Sequence, residues 1–373
     1  MGSPRSKAEP SDRFAARRGR LVKGLARHGI DSLLVTNFTN VTYLTGFSGD
    51  DTWLLLSRTD AILVSDARYT TQLGQECPAL GRHIRPTGTS LADAAARVAK
   101  SARLGRLGIE ADSMTVASHA RLADKLRKVA VVPTSGLVEN LRQIKDREEV
   151  AEITLAARQA ERAFAVVRAG LRMDQSEKEV ADELEHQLRL FGARGSSFAP
   201  IVAVGPRAAL PHARPGDARI GSGEFVLIDW GATARLYKSD LTRVLVTARI
   251  SPKLEQVYGL VLTAQRRAIE AIRPGVTGRE VDAVARGIIA DAGFGKYFGH
   301  GLGHGVGLDI HEAPRLSVAN GSPLKAGMVV TVEPGIYLPG WGGVRIEDDV
   351  LVSRAGHRVL TDCPKALEDA VVG

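Results

Sequence analysis

Cysteine and aromatic residues are scarce in this chain of 373 residues: two cysteines, and 5% Phe, Trp and Tyr together. Cys77 and Cys363 are too few for a disulfide scaffold or a four-cysteine zinc site, and they read as bystanders in a reducing cytoplasm. Apolar runs are short as well. The longest, such as LLVTNFTNVTYL, are broken by polar residues and fall below the ~18–20 residues of a membrane span. The opening stretch MGSPRSKAEPSDRFAARRGR has no apolar centre and so does not read as a secretory signal. Short chemical signatures are missing too. No helical H-E-x-x-H zinc motif, no G-x-x-x-x-G-K phosphate loop and no G-x-S-x-G nucleophile elbow occurs.

What is present is an ordinary globular composition, 25% charged and 44% apolar, which sets aside disorder, collagen and coiled coil. The net charge of +8 is unevenly placed. Residues 1–135 hold 20 Lys and Arg against 12 Asp and Glu, whereas residues 136–373 hold 30 of each. A basic forepart fits either a nucleic-acid binder or an enzyme with a basic front domain. Residues 1–11 read as a flexible lead, and a cytoplasmic protein is expected.

From residue 12 onward helix-like and strand-like pieces alternate. An Arg-rich helix runs to about His28, DSLLVTN reads as a buried strand, and TWLLLS with AILVSD suggests a hairpin. Asp146 and Glu149 form a capping pair. Behind them Val150, Ile153, Ala157, Ala160 and Phe164 recur at helical spacing up to Gly170. A weak repeat then relates LRMDQSEKEV to IRPGVTGREV, 101 residues later. It permits a C-terminal domain of two similar halves.

Chemistry-bearing residues gather in that second part. Asp229 ends the strand EFVLIDWG and Asp240 opens LYKSDLTRVLV. A turn near Ala234 and Arg235 would set the two carboxylates across from each other. Glu333 and Glu347 lie seven residues either side of Gly340, so a hairpin through 339–343 would pair them on one face. Burying two facing acids costs several kcal/mol unless a cation lies between them. GHGLGHGVGLDIHE adds His300, His304 and His311 among closely spaced glycines. Four carboxylates and a histidine make an oxygen-rich set that suits Mn²⁺, Co²⁺ or Fe²⁺ at least as well as Zn²⁺, and is large enough for two ions. Two such ions can share a hydroxide and polarise a carbonyl. The residues by themselves point to a dinuclear metallohydrolase.

The order IDWG, SDLTR, GHGLGHGVGLDIHE, VEPGIY and RIEDD resembles the M24 metallopeptidases of pita-bread fold. NVTYLTGFSG and DARYTTQ are similar to the front domain of Xaa-Pro dipeptidases (prolidases) and aminopeptidase P. The resemblance implies an α/β creatinase-like N-terminal domain over residues 12–138. It implies an α+β pita-bread domain with an internal pseudo-two-fold repeat over 139–373. It implies that Asp229 chelates one metal, that His304 and Glu333 bind the other, and that Asp240 and Glu347 bridge them. Glu333 would be the general base, His212 would stand at the substrate, His311 would contact the scissile carbonyl or the tetrahedral intermediate, and Arg345 would orient a bridging carboxylate. His300, Arg315 and Asn40 would line the substrate site, Arg315 taking a substrate carboxylate. Asn40 stands where some aminopeptidase P relatives have an Asp for the free amine, and supplies no charge there. The implied function is hydrolysis of the bond between an N-terminal residue and proline, in dipeptides or short peptides, by a metal-bridged hydroxide with two Mn²⁺ or Co²⁺ ions. A homodimer with no nucleic-acid or membrane partner is expected. The contrasting reading is an idle pita-bread protein that binds nucleic acid or protein through its basic N-terminal part. The filled set of five ligand positions favours the enzyme.

Overall fold

The computed structural model of the chain describes residues 10–372. The lead expected over residues 1–11 lies outside the described residues except for Pro10 and Ser11, which open the first helix. The chain divides into two compact units, Met1–Arg142 and Gln143–Gly373.

The first unit is a six-stranded mixed sheet with helices. In chain order its elements are α1 (Pro10–Leu25), β1 (Ser32–Val35), α2 (Phe38–Thr45), β2 (Trp53–Ser57), β3 (Ala61–Ser65), α3 (Thr70–Glu76), β4 (Gly81–Ile84), α4 (Leu91–Ser101), β5 (Arg106–Glu110), α5 (Val116–Lys125), β6 (Ala130–Thr134) and α6 (Glu139–Arg142). The strand order is β4-β3-β2-β1-β5-β6. The expected hairpin is β2–β3, paired antiparallel from Trp53↔Val64 to Leu56↔Ala61. The alanine-rich face of α4 lets the helix lie close on the sheet, where Ala94, Ala95 and Ala99 pack against Leu34, Leu55, Val64 and Leu107. Each buried Leu or Val there contributes about 1.5–3 kcal/mol.

The second unit repeats one theme, a pair of helices backing an antiparallel sheet. Its first half holds α7 (Arg147–Ala169), α8 (Glu177–Leu190), β7 (Ile201–Val204), β8 (Phe225–Trp230), the short β9 (Thr233–Ala234) and β10 (Tyr237–Lys238), and β11 (Leu241–Val246). The second half holds α9 (Pro252–Ala271), α10 (Gly278–Asp291), β12 (Gly303–Gly305), β13 (Glu312–Leu316), β14 (Val329–Val332), the hairpin β15 (Gly335–Leu338) and β16 (Gly342–Arg345), β17 (Asp348–Ser353) and β18 (Gly356–Val359). The sheets run β11-β8-β7 and β13-β12-β14-β17-β18.

α7 starts on the Asp146–Glu149 capping box and stops at Gly170, as its sequence predicts. The two repeated segments open the second helix of each pair. Ser176 with Glu179 and Thr277 with Glu280 form equivalent capping boxes. Each cap residue also makes an isolated antiparallel bridge, Ser176 to Arg219 and Thr277 to Pro323. The repetition is therefore structural as well as textual. A third bridge, Thr242 to Glu347, ties the strands of the two halves together.

Candidate metal centre

Side chains alternate along β8. Val226, Ile228 and Trp230 pack with α7 and α8, and Trp230 stacks on Phe164 with ring centroids 4.2 Å apart. Phe225 and Leu227 pack on the opposite face with α9 and α10, and Asp229 continues that face. In the ladder Asp229 faces Thr242, not Asp240. The turn expected near Ala234 and Arg235 is centred one residue later, because β9 and β10 pair Ala234 with Tyr237 and Arg235 takes a positive φ of 46°. Asp240 consequently lies diagonal to Asp229, on the same face, two residues from Thr242.

The other pair follows its spacing. β15–β16 pairs Leu338 with Gly342, and β14–β17 pairs Val332 with Asp348. Both ladders mirror about Gly340, which sets Glu333 and Glu347 toward each other beyond the last paired residues. Val330, Val332, Val350 and Val352 join the apolar core on the other face, so the two acids occupy the face away from it.

His304 sits on β12, and the glycines beside it explain the glycine-rich spelling. A Cβ at Gly303 would lie 2.1 Å from the Thr331 carbonyl oxygen, and one at Gly305 2.3 Å from that of Ala313. With the strands so close, the His304 backbone N–H donates to Thr331 Oγ1 at 3.0 Å. Its Nδ1 donates to the Gly305 carbonyl at 3.1 Å, which leaves Nε2 bare. Nε2 lies 3.3 Å from Glu333 Oε1 and 3.5 Å from Asp240 Oδ2. Asp240, His304 and Glu347 each offer a donor atom within 4.8 Å of the others.

The electrostatics report crowded negative charge. Burial, with Glu347 next, lifts Asp240 well above the ordinary carboxylate range. Burial and then Glu333 lift Glu347 in the same way. Glu333 is pushed up to about 7, burial again leading. Burial pushes His304 down to about 3, so its ring is neutral. Asp229 Oδ1 and Glu347 Oε1 are buried with no hydrogen-bond partner. Neutral imidazole, crowded carboxylates and orphaned buried oxygens are what a divalent cation satisfies, so these residues fit a metal centre.

A chain of hydrogen bonds holds the acids. Arg345 donates through Nη2 to Asp229 Oδ2 at 2.5 Å and through Nε to Thr242 Oγ1 at 3.1 Å. Thr242 in turn donates to Glu347 Oε2 at 2.6 Å. Arg345 Nη1 donates to the Tyr337 hydroxyl at 2.8 Å, and that hydroxyl meets His300 Nε2 at 2.9 Å. His300 Nδ1 donates to the Gly301 carbonyl, which makes Nε2 the acceptor. Both nitrogens of His300 are therefore engaged, and it presents only its ring to the cavity. From the other side Asp349 Oδ2 accepts the Asp240 backbone N–H at 3.1 Å. Tyr337, Thr242, Thr331 and Asp349 were not anticipated from the sequence. Their one signal is position, each standing two or four residues from a carboxylate that was.

All five donors open onto one cavity of about 1300 Å³, together with His212, His300, His311, Arg315 and Arg345. His311 stands edge-on to His304 at 4.3 Å, and burial followed by Arg315 lowers its pKa. Arg315 lies opposite His304 in the β12–β13 ladder. Asn40 differs from the rest. It is fully buried in the first unit, where its amide nitrogen donates to Glu110 and Glu139 and its oxygen accepts from Arg142. The substrate role expected for Asn40 finds no exposed atom in this chain.

Comparison with known proteins agrees with this geometry. Residues 151–354 match the model of metallopeptidase family M24, and residues 17–144 that of the creatinase/prolidase N-terminal domain. The chain belongs to metallopeptidase family M24. It is a metallo-exopeptidase built from the creatinase-type front domain and the pita-bread domain of that family. It is 42% identical to the uncharacterized peptidase YqhT of Bacillus subtilis over 91% of this chain and 96% of that one. Among solved structures, the M24 chain resembles an Xaa-Pro dipeptidase from Bacillus anthracis at TM-score 0.92 and 40% identity, covering 96% of this chain and 99% of the other. An X-Pro aminopeptidase from Thermotoga maritima follows at TM-score 0.86 and 36% identity, with 94% and 99% covered.

Proposed function

We propose that the protein hydrolyses the bond between an N-terminal residue and proline, using two divalent cations, Mn²⁺ or Co²⁺, held by Asp229, Asp240, His304, Glu333 and Glu347. The observation that carries this reading is the convergence of these donors on one cavity with Asp229 Oδ1 and Glu347 Oε1 left unpartnered. An Xaa-Pro dipeptidase and an X-Pro aminopeptidase among the structural relatives support the choice of bond. When bound, the cations supply Lewis acidity and make water nucleophilic at neutral pH.

The remaining work falls to side chains. Asp229 would help hold one ion and His304 with Glu333 the other, with Asp240 and Glu347 contributing to the pair. Glu333 takes the proton of the attacking water; Thr331 Oγ1 holds its Oε1 at 3.2 Å. His311 and His212 face the cavity from different segments and donate to the scissile carbonyl as charge builds on it. Arg345 fixes Asp229 directly and Glu347 through Thr242. Arg315 takes the carboxylate that follows proline. An X–Pro bond has no amide N–H for an enzyme to bind, so groups acting on the carbonyl carry the recognition.

The test is hydrolysis of Xaa-Pro peptides before and after chelation. Activity falls at least a hundredfold on metal removal and returns with Mn²⁺ or Co²⁺. Undiminished activity in the metal-stripped protein would falsify the assignment.

A further inference from the structure

We propose that Lys145 is a positioning residue for the reaction: through its buried ion pair with Glu312 it sets His311 against the scissile carbonyl. This rests on the role given to His311 in the proposed function and adds a residue from outside the cavity.

His311 stands where the ladder specifies the backbone least. It immediately precedes β13, the end strand of its sheet, which is laddered to the three-residue β12. The register slips within that ladder. His304 faces Arg315, but Gly305 faces Glu312, with Ala313 and Pro314 between. His311 is itself exposed and lines the cavity.

Glu312 supplies the hold that the ladder lacks. Side chains alternate along β13, so His311 and Arg315 reach the cavity while Glu312 points to the opposite side. There its Oε1 accepts from Lys145 Nζ, and the two side chains are buried, Lys145 at 1% exposure and Glu312 at 8%. The same carboxylate packs on Gly307, where a Cβ would lie 2.5 Å from Oε1 and 3.0 Å from Oε2. Glu312 thus grips the start of the loop that His311 ends.

Lys145 carries the contact towards the metal centre. It stands directly before Asp146, the cap of α7, and its backbone N–H donates to the Gly327 carbonyl at 2.8 Å. Gly327 lies two residues before β14, which carries Thr331 and ends one residue before Glu333. One ion pair therefore joins the strand behind His311 to the strand behind Glu333, the groups proposed to act on the carbonyl and on the water. A pair so buried adds little stability over apolar side chains of the same volume, because desolvation of both charges offsets their attraction. What it adds is a fixed direction.

The experiment uses the Mn²⁺-loaded full chain with Ala-Pro and Ala-Pro-Ala. Lys145→Met/Glu312→Gln removes both charges at similar volume and strands neither in the interior. The expected result is a fall in kcat of about tenfold or more, as for a reacting group displaced by about 1 Å, with KM and the Mn²⁺ affinity from chelator competition within about twofold. In a His311→Ala background the same double substitution lowers the residual kcat no further, since residues acting as one unit are not additive. Glu312→Gln alone, which keeps an acceptor for Lys145, gives a smaller loss with the same dependence on His311. An equal loss of kcat in both backgrounds marks a purely structural pair and overturns the inference. So do unchanged kcat in a variant that melts as a folded protein, and loss of Mn²⁺ together with kcat. If neither variant folds, the pair serves the fold and not His311, and the inference falls. Each of these outcomes leaves the proposed function standing. Cleavage of neither peptide by the unaltered protein overturns that function, and the inference with it.

Discussion

Tyr337 has no charge and binds no metal, yet its hydroxyl is where two supports of the site meet. It accepts from Arg345 and donates to His300, whose other nitrogen is fixed on the Gly301 carbonyl. Removing it frees one arm of the guanidinium that holds Asp229 and Thr242. Tyr337→Phe is therefore expected to weaken metal affinity by about tenfold or more, measured by competition with a chromogenic chelator. A change in melting temperature with unaltered metal affinity would mean that the hydroxyl only fills space. The sequence does not reveal this chain, since His300, Tyr337 and Arg345 come together only through strand pairing and loop closure. Asn40 marks the same limit from the other side. Its sequence setting pointed to substrate, but the structure commits its amide to Glu110, Glu139 and Arg142.

At the level of elements, the hairpin carrying Glu333 and Glu347 could be read from spacing, because a tight antiparallel turn fixes every pair above it. The hairpin carrying Asp229 and Asp240 could be read only in part. Its connection folds on itself as β9–β10, and the positive φ of Arg235 moves the centre by one residue. The partner shifts by two, so the face survives and the register does not. The capping boxes of α7, α8 and α10 were likewise plain from local sequence, since a cap needs only residues three apart.

The histidine-bearing glycine run yields a prediction at this scale. A Cβ at Gly303 would meet the backbone of β14, while one at Gly299 would find nothing within 4 Å. Gly303→Ala is expected to cost about 1–3 kcal/mol through overpacking, a loss of several degrees in melting temperature. Gly299→Ala should stay within about 0.5 kcal/mol, as expected for a site without such contacts. Equal melting temperatures for the two variants would show that close approach is not why glycine stands at 303.

For the whole molecule, the two-unit architecture and the paired halves of the second unit were both visible in the sequence, one as a change of pattern near Asp146, the other as a weak repeat. The net charge of +8 means less than it first suggests. Residues 136–373 are balanced at 30 charges of each sign, and that balance includes a cluster of four carboxylates whose charge Arg345, paired with Asp229, offsets only in part, leaving the remaining counterpart to come from elsewhere. The proposed pair of divalent ions would supply that counterpart. This occupancy is tested most directly by counting metal per chain in the active protein, with elemental analysis after loading with Mn²⁺ and removal of excess ion. The expected result is two ions per chain, falling to one or none in Asp240→Ala together with loss of Xaa-Pro hydrolysis. Full hydrolysis by protein carrying no stoichiometric metal, or two ions retained in Asp240→Ala, would contradict it.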